Sequence, residues 1–215
     1  MKNYKKPTIF SLSSAPGKAG VSVFRISGPS ATKALKSLTR QKFFEPRRVT
    51  LKKIYNKNNE LIDSCLLFFM QGPNSFTGED CVELHVHGSV AVIEKLTSEL
   101  YSLGLRQAEA GEFTRRAFEN GKMDLAQVEG LADLIDAETE AQRQQAIRVL
   151  DGSFGDAGEL WRGRLLRAAA LLEASIDFSD EEIPNDLSLE VVKLVEETRG
   201  SIAAILERST MASKI

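Results

Sequence analysis

The chain has 215 residues, of which 42% are hydrophobic and 27% are charged, and its formal net charge is -2. This composition is typical of a folded globular protein and excludes a disordered, collagen-like or low-complexity chain. The small net charge conceals an asymmetry, because residues 1–60 carry 14 Lys and Arg against 2 Asp and Glu, whereas residues 121–215 carry 10 against 19. A basic front and an acidic back predict two units with different surfaces.

The cysteine content and the N-terminus favour a soluble cytoplasmic protein without membrane contact. Two cysteines, Cys65 and Cys81, do not make a disulfide framework in a chain of this length. The basic N-terminus is not followed by the apolar stretch of a secretory signal. No apolar run approaches the roughly 20 residues that span a bilayer.

The first half of the chain mixes strands and helices in an irregular order. Apolar runs and alternating patterns predict strands over residues 8–12, 21–27, 61–70 and 81–87. Helical spacing predicts helices over residues 30–38 and 89–103. This order favours an α+β domain over one that is built from repeating βαβ units.

From about residue 111 the pattern becomes helical. A short helix with Phe113, Ala117 and Phe118 inward ends at an Asn-Gly turn. Asp124 with Gln127 is a capping-box pattern, which predicts a helix that runs to residue 150. A second helix is predicted over residues 158–176, with these side chains inward: Leu160, Trp161, Leu165, Leu172 and Ile176. An acidic loop is predicted over residues 177–186 and a third helix over residues 188–211. The three helices together are typical of an up-and-down bundle that is incomplete.

The turn at residues 15–20 invites comparison with a phosphate-binding P-loop, and the comparison fails. A P-loop needs glycine five positions before Gly17 and Ser or Thr after Lys18, but Leu12 and Ala19 occupy those positions. The pattern Gly-x-x-x-x-Gly-Lys-[Ser/Thr] occurs nowhere in the sequence, and neither does the Gly-x-Ser-x-Gly elbow of a Ser-His-Asp hydrolase. These absences argue against a P-loop nucleotide site and against a Ser-His-Asp triad. We predict no catalytic residue in this chain.

The strand at residues 81–87 carries the most informative local pattern. Side chains alternate between the faces of a strand, so Glu83, His85 and His87 share one face. Two histidines on one face are compatible with a metal site, but no firm third ligand is evident and we predict no metal. The alternatives are a polar wall, whose carboxylate accepts hydrogen bonds from an amino-heterocycle such as a pterin, and a polar face that loops cover.

Two cationic features each leave two interpretations open. The Asn-Gly turn and the following helix hold Lys122 in a defined place, although a solvated lysine would look the same in sequence. The basic residues 1–60 either attract RNA phosphates or form a charge-rich solvated face. The nearby aromatic residues match no known pattern of RNA recognition: Phe43, Phe44 and Tyr55.

Several blocks of the sequence, in the right order and over nearly the whole chain, resemble the family of the bacterial tRNA-modification GTPase MnmE, also called TrmE. They are Ala-Pro-Gly-Lys-Ala-Gly at 15–20, Phe-Arg-Ile-Ser-Gly at 24–28, Gly-Pro-Asn-Ser-Phe-Thr-Gly-Glu-Asp at 72–80 and Gly-Glu-Phe at 111–113. Further blocks are Asp-Leu-Ala-Gln at 124–127 and Ala-Asp-Leu-Ile-Asp-Ala at 132–137. The sequence departs from the family at Lys18-Ala19, where Arg-Gly is usual, and at Ser89, where glycine is usual.

The resemblance implies an α+β fold in which a mixed-sheet, folate-binding-like domain precedes an incomplete helical bundle. Residues 1–120 are similar to the tetrahydrofolate-binding domain of one-carbon enzymes such as the glycine cleavage T protein. Such a domain dimerises and binds 5-formyl- or 5,10-methylene-tetrahydrofolate. The positions that match the family's folate contacts are Arg25, Glu83 and Lys122. Residues 121–215 correspond to the first part of the helical domain.

The resemblance also implies the modification of C5 of a tRNA wobble uridine, with tRNA and a flavin-dependent protein as partners of the homodimer. GTP, Mg²⁺ and K⁺ would belong to a GTPase domain that begins about where this sequence ends, so this chain alone is not expected to hydrolyse GTP. Two alternatives remain, a stand-alone folate-dependent one-carbon transferase and a non-catalytic dimerisation scaffold.

Overall fold

A computed structural model describes residues 6–177 and 186–212. The chain divides into two compact units, Met1–Met123 and Asp124–Ile215. The first unit contains a mixed sheet flanked by helices and the second is helical, which confirms the predicted α+β class. No helix within the described ranges is long and apolar enough to cross a membrane.

The first unit contains a six-stranded sheet. Its strands are β1 (Ile9–Leu12), β2 (Ala19–Ser27), β3 (Val49–Tyr55), β4 (Leu61–Met70), β5 (Cys81–Gly88) and β6 (Arg106–Gln107). Their order across the sheet is β3-β4-β5-β2-β1-β6. All neighbours are antiparallel except β1 and β6, which run parallel. The four predicted strands are confirmed, whereas β3 and the two-residue β6 were not predicted.

Three helices complete this unit: α1 (Ala31–Thr39), α2 (Val90–Ser102) and α3 (Glu112–Glu119). The apolar stripe of α1 and the inward residues of β5, such as Val82 and Leu84, belong to one buried core. Because strand side chains alternate, Glu83 and His85 lie on the opposite face of the sheet. The short helix α3 buries Ala117 as predicted, but Phe118 is 45% exposed, so its predicted inward position is wrong.

The second unit consists, in the described residues, of four helices rather than the predicted three: α4 (Leu125–Asp136), α5 (Glu140–Leu150), α6 (Ser153–Asp177) and α7 (Asp186–Ala212). The predicted capping box is confirmed, since Gln127 N donates to Asp124 Oδ1 at 2.7 Å and Asp124 N donates to Gln127 Oε1 at 2.9 Å. The predicted continuous helix to residue 150 is wrong. Thr139 and Gln142 form a second capping box, which starts α5.

Helix α6 begins earlier than predicted and exposes more of its apolar surface. Its contact with α7 includes Trp161, whose Nε1 donates to Ser201 Oγ at 2.9 Å. The other side chains that were predicted to face inward lie on faces that this unit leaves exposed: Leu160, Leu165, Leu172 and Ile176. That prediction is wrong because, within the described residues, α7 and the neighbouring α5 leave part of the apolar surface of α6 uncovered. Most of the predicted acidic loop, residues 178–185, lies outside the described residues.

Candidate functional site

Arg25 and Glu83 face each other across the neighbouring strands β2 and β5. They are direct partners in the antiparallel register, so their side chains leave the same face of the sheet. Arg25 Nε donates to Glu83 Oε1 at 2.9 Å, and a terminal guanidinium nitrogen lies 2.8 Å from the same oxygen. The sheet therefore presents a fixed cation and a carboxylate side by side.

Two aromatic rings hold the guanidinium of Arg25. The ring of Phe76, from the loop between β4 and β5, lies 5.1 Å from the guanidinium carbon, and the ring of Phe113, from α3, lies 5.7 Å from it. Both distances are within the range of cation–π attraction. The sequence alone did not single out Phe76 as a site residue, because a loop phenylalanine has no periodic pattern that assigns its direction.

The loop over residues 71–80, which carries Phe76, is held by hydrogen bonds from three directions. Gly72 N donates to Asp80 Oδ1 at 3.0 Å, and Thr32 Oγ1 of α1 donates to Asp80 Oδ2 at 2.8 Å. Asn120 Nδ2, from the end of α3, donates to the carbonyl oxygen of Thr77 at 2.6 Å. The first bond closes the loop on itself, and the other two fix its position relative to α1 and α3.

A buried ion-pair network lies behind the loop. The side chain of Arg116 is 2% exposed, and it contacts Glu79 at 3.0 Å and Glu112 at 2.9 Å. It also donates to the carbonyl oxygen of Pro7 at 2.9 Å. One arginine therefore ties together the N-terminal segment, the loop that carries Phe76 and the helix that carries Phe113. We interpret Arg116 as a positioning residue for both rings.

The protonation of Glu112 reflects the same network. Burial alone would raise the pKa of this carboxyl, but hydrogen bonds from Arg106, from the backbone amide of Glu109 and from Arg116 lower the pKa to about 2. The spacing of four residues between Glu112 and Arg116 on α3 was the available sequence signal, but it does not distinguish a buried pair from a surface pair.

Lys122 lies at a cavity of about 530 Å³. The cavity is lined by Arg47, Phe68, Met70, Pro73, Asn74, Ser75, Phe76 and Lys122. Lys122 N donates to the carbonyl oxygen of Ala117 at 2.8 Å. Its side chain runs beside Gly78, because a Cβ built at that glycine would lie 3.2 Å from Lys122 Cε. Arg47, which the sequence did not single out, supplies a second cation to the cavity wall.

The structure brings two of the three predicted site residues into contact and keeps the third at a neighbouring position. Arg25 and Glu83 form an ion pair. Lys122 makes no hydrogen bond or ion pair with either of them in the described residues, but Phe76 contacts Arg25 and also lines the cavity of Lys122. Phe76 is thus the physical link between the ion pair and the cavity.

The two histidines of β5 have different surroundings and do not converge on one point. His87 Nδ1 lies 2.8 Å from Asp63 Oδ1 on β4, whereas His85 Nε2 lies 3.5 Å from Glu83 Oε2. His85 Nε2 is buried and has no hydrogen-bond partner in the described structure. Among the described residues, no three His, Cys, Asp or Glu side chains are grouped in a way that could hold a metal ion.

Comparisons with known proteins match both units of the chain. The family described as GTP-binding protein TrmE N-terminus matches residues 8–122, and the family described as MnmE helical domain matches residues 125–215. The tRNA modification GTPase MnmE of Roseobacter denitrificans is 49% identical over 209 residues, which are 97% of this chain and 49% of the relative.

Two further relatives carry the same name and show similar coverage. The MnmE of Dinoroseobacter shibae is 54% identical over 198 residues, which are 92% of this chain and 46% of the relative. The MnmE of Parvibaculum lavamentivorans is 52% identical over 202 residues, which are 93% of this chain and 46% of the relative. The chain spans about half the length of the curated relatives that it matches.

Proposed function

The chain belongs to the family of the tRNA modification GTPase MnmE, and on that premise we propose that residues 1–120 bind a tetrahydrofolate as its 5-formyl or 5,10-methylene derivative. When bound, this folate supplies a one-carbon unit for the modification of C5 of a tRNA wobble uridine. The observation that carries the proposal is the Arg25–Glu83 pair together with the cavity that Lys122 lines, which Phe76 connects by contacting Arg25 and lining the cavity. The cavity volume is within the range of about 300–1,000 Å³ that is typical of small-molecule sites.

Glu83 has the chemistry to recognise the amino edge of a pterin ring. Its Oε1 accepts from Arg25. Its Oε2, which lies 3.5 Å from His85 Nε2, is the oxygen that would accept a hydrogen bond from a ring N–H or an amino group. An ionised carboxylate accepts such bonds strongly. The ring of Phe76, at the border of the cavity, offers a flat surface on which a planar heterocycle can pack.

The cations at the cavity suit the other end of a folate, which carries the carboxylates of its glutamate tail. Lys122 and Arg47 both line the cavity. The position of Arg47 is fixed because its guanidinium donates to the carbonyl oxygen of Asn74 at 3.0 Å. In our proposal Glu83 binds the ring, Lys122 and Arg47 attract the tail, and Arg25 holds the carboxylate of Glu83 in place.

We also propose a homodimer through the N-terminal domain. Two apolar side chains on the outward face of the sheet support it, because Leu51 and Leu66 are opposite each other in the β3–β4 register and both are exposed. Leu66 is next to His85 in the β4–β5 register, on the same sheet face as Glu83. Exposed apolar patches of this kind often mark protein contacts. Sedimentation should show a dimer for the native chain and a monomer for Leu66→Asp.

The remaining parts of the proposal concern the whole protein of which this chain resembles about half. GTP, Mg²⁺ and K⁺ would bind to a GTPase domain outside these 215 residues, which contain no P-loop pattern. The folate domain would then act in the cytoplasm with tRNA and a flavin-dependent partner protein. This chain alone is not expected to hydrolyse GTP.

Calorimetric titration with 5-formyl-tetrahydrofolate tests the folate site. We expect one molecule to bind per chain, and the Glu83→Gln variant should bind at least about tenfold more weakly, because a charge-assisted hydrogen bond is lost. Glu94→Gln on the exposed side of α2 is the matched control and should bind as the native chain does. Equal affinity of the native chain and of Glu83→Gln would refute the site.

The titration and an assay of folate turnover together separate the alternative functions. A dimer without folate affinity would favour a scaffold, which the exposed apolar side chains of the sheet and of α6 also suit. Turnover of the folate by this chain alone would favour a stand-alone one-carbon transferase.

A further inference from the structure

The first helix carries a row of cations on its exposed side. Ala34, Leu35 and Leu38 are buried in the core of the first unit. Lys33 and Lys36 are three residues apart and lie along the opposite, exposed face. Arg40, which is also exposed, directly follows the helix as its C-cap. Arg40 donates to the carbonyl oxygen of Asn56 at 2.7 Å, which brings this row to the turn between β3 and β4.

The segment after this helix presents an aromatic ring to solvent. Phe43 is 80% exposed, the highest value among the large apolar side chains of the described residues. The ring borders a groove of about 100 Å³, whose wall also includes Phe44, Arg48 and Lys52. Flat apolar surface and positive charge therefore meet at one place in the fold.

The cations of this region are in large excess over the acids. Residues 31–60 contain nine Lys and Arg but only Glu45 and Glu60 as acids. In the described residues, the only ion pair of these nine cations is that of Arg48 with Glu45 at 2.8 Å. The folded unit therefore does not neutralise this charge, and an anionic partner would encounter a strong positive potential.

We propose that this surface, called here the Phe43 groove, binds an unpaired stretch of RNA. It comprises the row Lys33, Lys36 and Arg40 and the groove side chains Phe43, Phe44, Arg48 and Lys52. The cations would contact phosphates, and the ring of Phe43 would stack on a base. Proteins that bind single strands combine these same two elements, a cationic track and a stacking platform.

The exposed ring of Phe43 favours RNA over an acidic peptide as the partner. A peptide that is recognised by charge needs the cations but gains nothing from an exposed flat ring, whereas every nucleic-acid base has a face that stacks. The choice of RNA over DNA rests on the tRNA-modifying function proposed above. The folate and RNA proposals share a segment of chain, because Arg47 lines the folate cavity and Arg48 lines the Phe43 groove.

Fluorescence anisotropy with a labelled ten-nucleotide oligouridine measures this interaction without any folate or GTP. We expect Phe43→Ala to weaken binding by about 5- to 150-fold, which corresponds to the loss of one base–aromatic stack. Phe43→Leu should lose as much, because it keeps the apolar character but not the flat ring, and Phe43→Trp should retain affinity. Phe118→Ala removes another exposed phenylalanine, outside the basic surface, and should bind as the native chain does.

Salt dependence separates the cations from the ring. Lys36→Gln and Arg48→Gln should each reduce the slope of log affinity against log salt by about 0.7, as expected when one phosphate contact is lost from a single strand. Phe43→Ala should leave this slope unchanged because it removes no charge. A full-length tRNA as a second probe should show the same ranking of variants.

Three results would overturn the proposal. The first is that the native chain does not bind RNA at 50 mM salt. The second is that both Phe43→Ala and Phe43→Leu bind RNA with the affinity of the native chain. The third is a change in the assembly state of Phe43→Leu in sedimentation, which would place the ring in a protein contact. Folate titration of Phe43→Ala and RNA titration of Glu83→Gln distinguish the two proposals. Each variant should be impaired for one ligand only, so either site can fail independently of the other.

Discussion

Replacing Arg116 by methionine tests whether one buried cation supports the candidate site. The substitution keeps an unbranched stem, shorter than that of arginine, and removes the charge between Glu79 and Glu112. Glu112 retains its bond from Arg106, and Glu79 retains its bond from Ser27 Oγ at 2.7 Å. Both carboxylates nevertheless lose their shared cation in a poorly hydrated position. Removing one partner of such a buried pair costs about 3–5 kcal/mol of the free energy of unfolding.

The neighbouring Arg115 provides a matched control. It is 54% exposed and pairs with the exposed Glu109 at 3.0 Å, and its approach to Glu112 is longer, at 3.9 Å. Arg115→Met should therefore cost no more than about 1 kcal/mol. The double variant Arg116→Met, Glu79→Gln should recover part of the loss, because it leaves one uncompensated charge fewer.

Hydrogen exchange followed by mass spectrometry measures these effects segment by segment. In Arg116→Met, amides of β5 and α3 should exchange about two to four orders of magnitude faster, since each 1.4 kcal/mol corresponds to a factor of ten. Amides of α6, in the second unit, provide an internal reference within the same experiment. Equal exchange in Arg116→Met and Arg115→Met would refute the role that we assign to Arg116.

Three further predictions concern acidity, loop geometry and thiol reactivity. The pKa of Glu112 is lowered from 4.5 to about 2 in the fold, so its contribution to the free energy of unfolding should be lost as the pH falls through this window. In Glu112→Gln, the free energy of unfolding measured by circular dichroism should therefore depend less on pH in the acid range. Gly72→Ala places a Cβ 2.9 Å from the carbonyl oxygen of Gly78 and should lower the free energy of unfolding in urea by about 1–3 kcal/mol, whereas Gly158→Ala, with open space at its Cβ, should not. Burial raises the pKa of Cys65 to about 12, so iodoacetamide at pH 8 should label it only after unfolding, and rapid labelling of the native chain would contradict its position.

The sequence predicted those parts of the fold that depend on local patterns. The strands over residues 61–70 and 81–87 were recognisable because their apolar runs are long or alternate cleanly. The cap at Asp124 was recognisable because its partner lies only three residues away. The equivalent pattern at Thr139 was equally readable, but the apolar spacing that continues across it favoured one long helix.

Features that depend on distant residues were not predictable in the same way. The strand β3 has two consecutive lysines at its centre, which interrupt any alternating pattern, and it is recognisable as a strand mainly through its pairing with β4. The exposed residues of α6 have the spacing of a buried face, and nothing local says whether a neighbour covers them.

In the candidate site, too, some features follow from local sequence patterns and others depend on long-range contacts. The direction of Glu83 follows from strand alternation alone, whereas its contact with Arg25 needs the register between β2 and β5. The roles of Phe76, Arg47 and Arg116 need the path of the loop over residues 71–80, which long-range hydrogen bonds determine. Arg25 entered through the family resemblance alone. Lys122 stood out locally through the Asn-Gly turn before it, but only the resemblance gave it a folate role.

A crystal structure of the chain with 5-formyl-tetrahydrofolate tests the proposed site most directly. We predict that the amino edge of the pterin lies within hydrogen-bonding distance of Glu83, with the ring packed against Phe76. The tail carboxylates should lie near Lys122 and Arg47. Folate bound elsewhere, with the Arg25–Glu83 pair and the cavity free of it, would contradict the proposal.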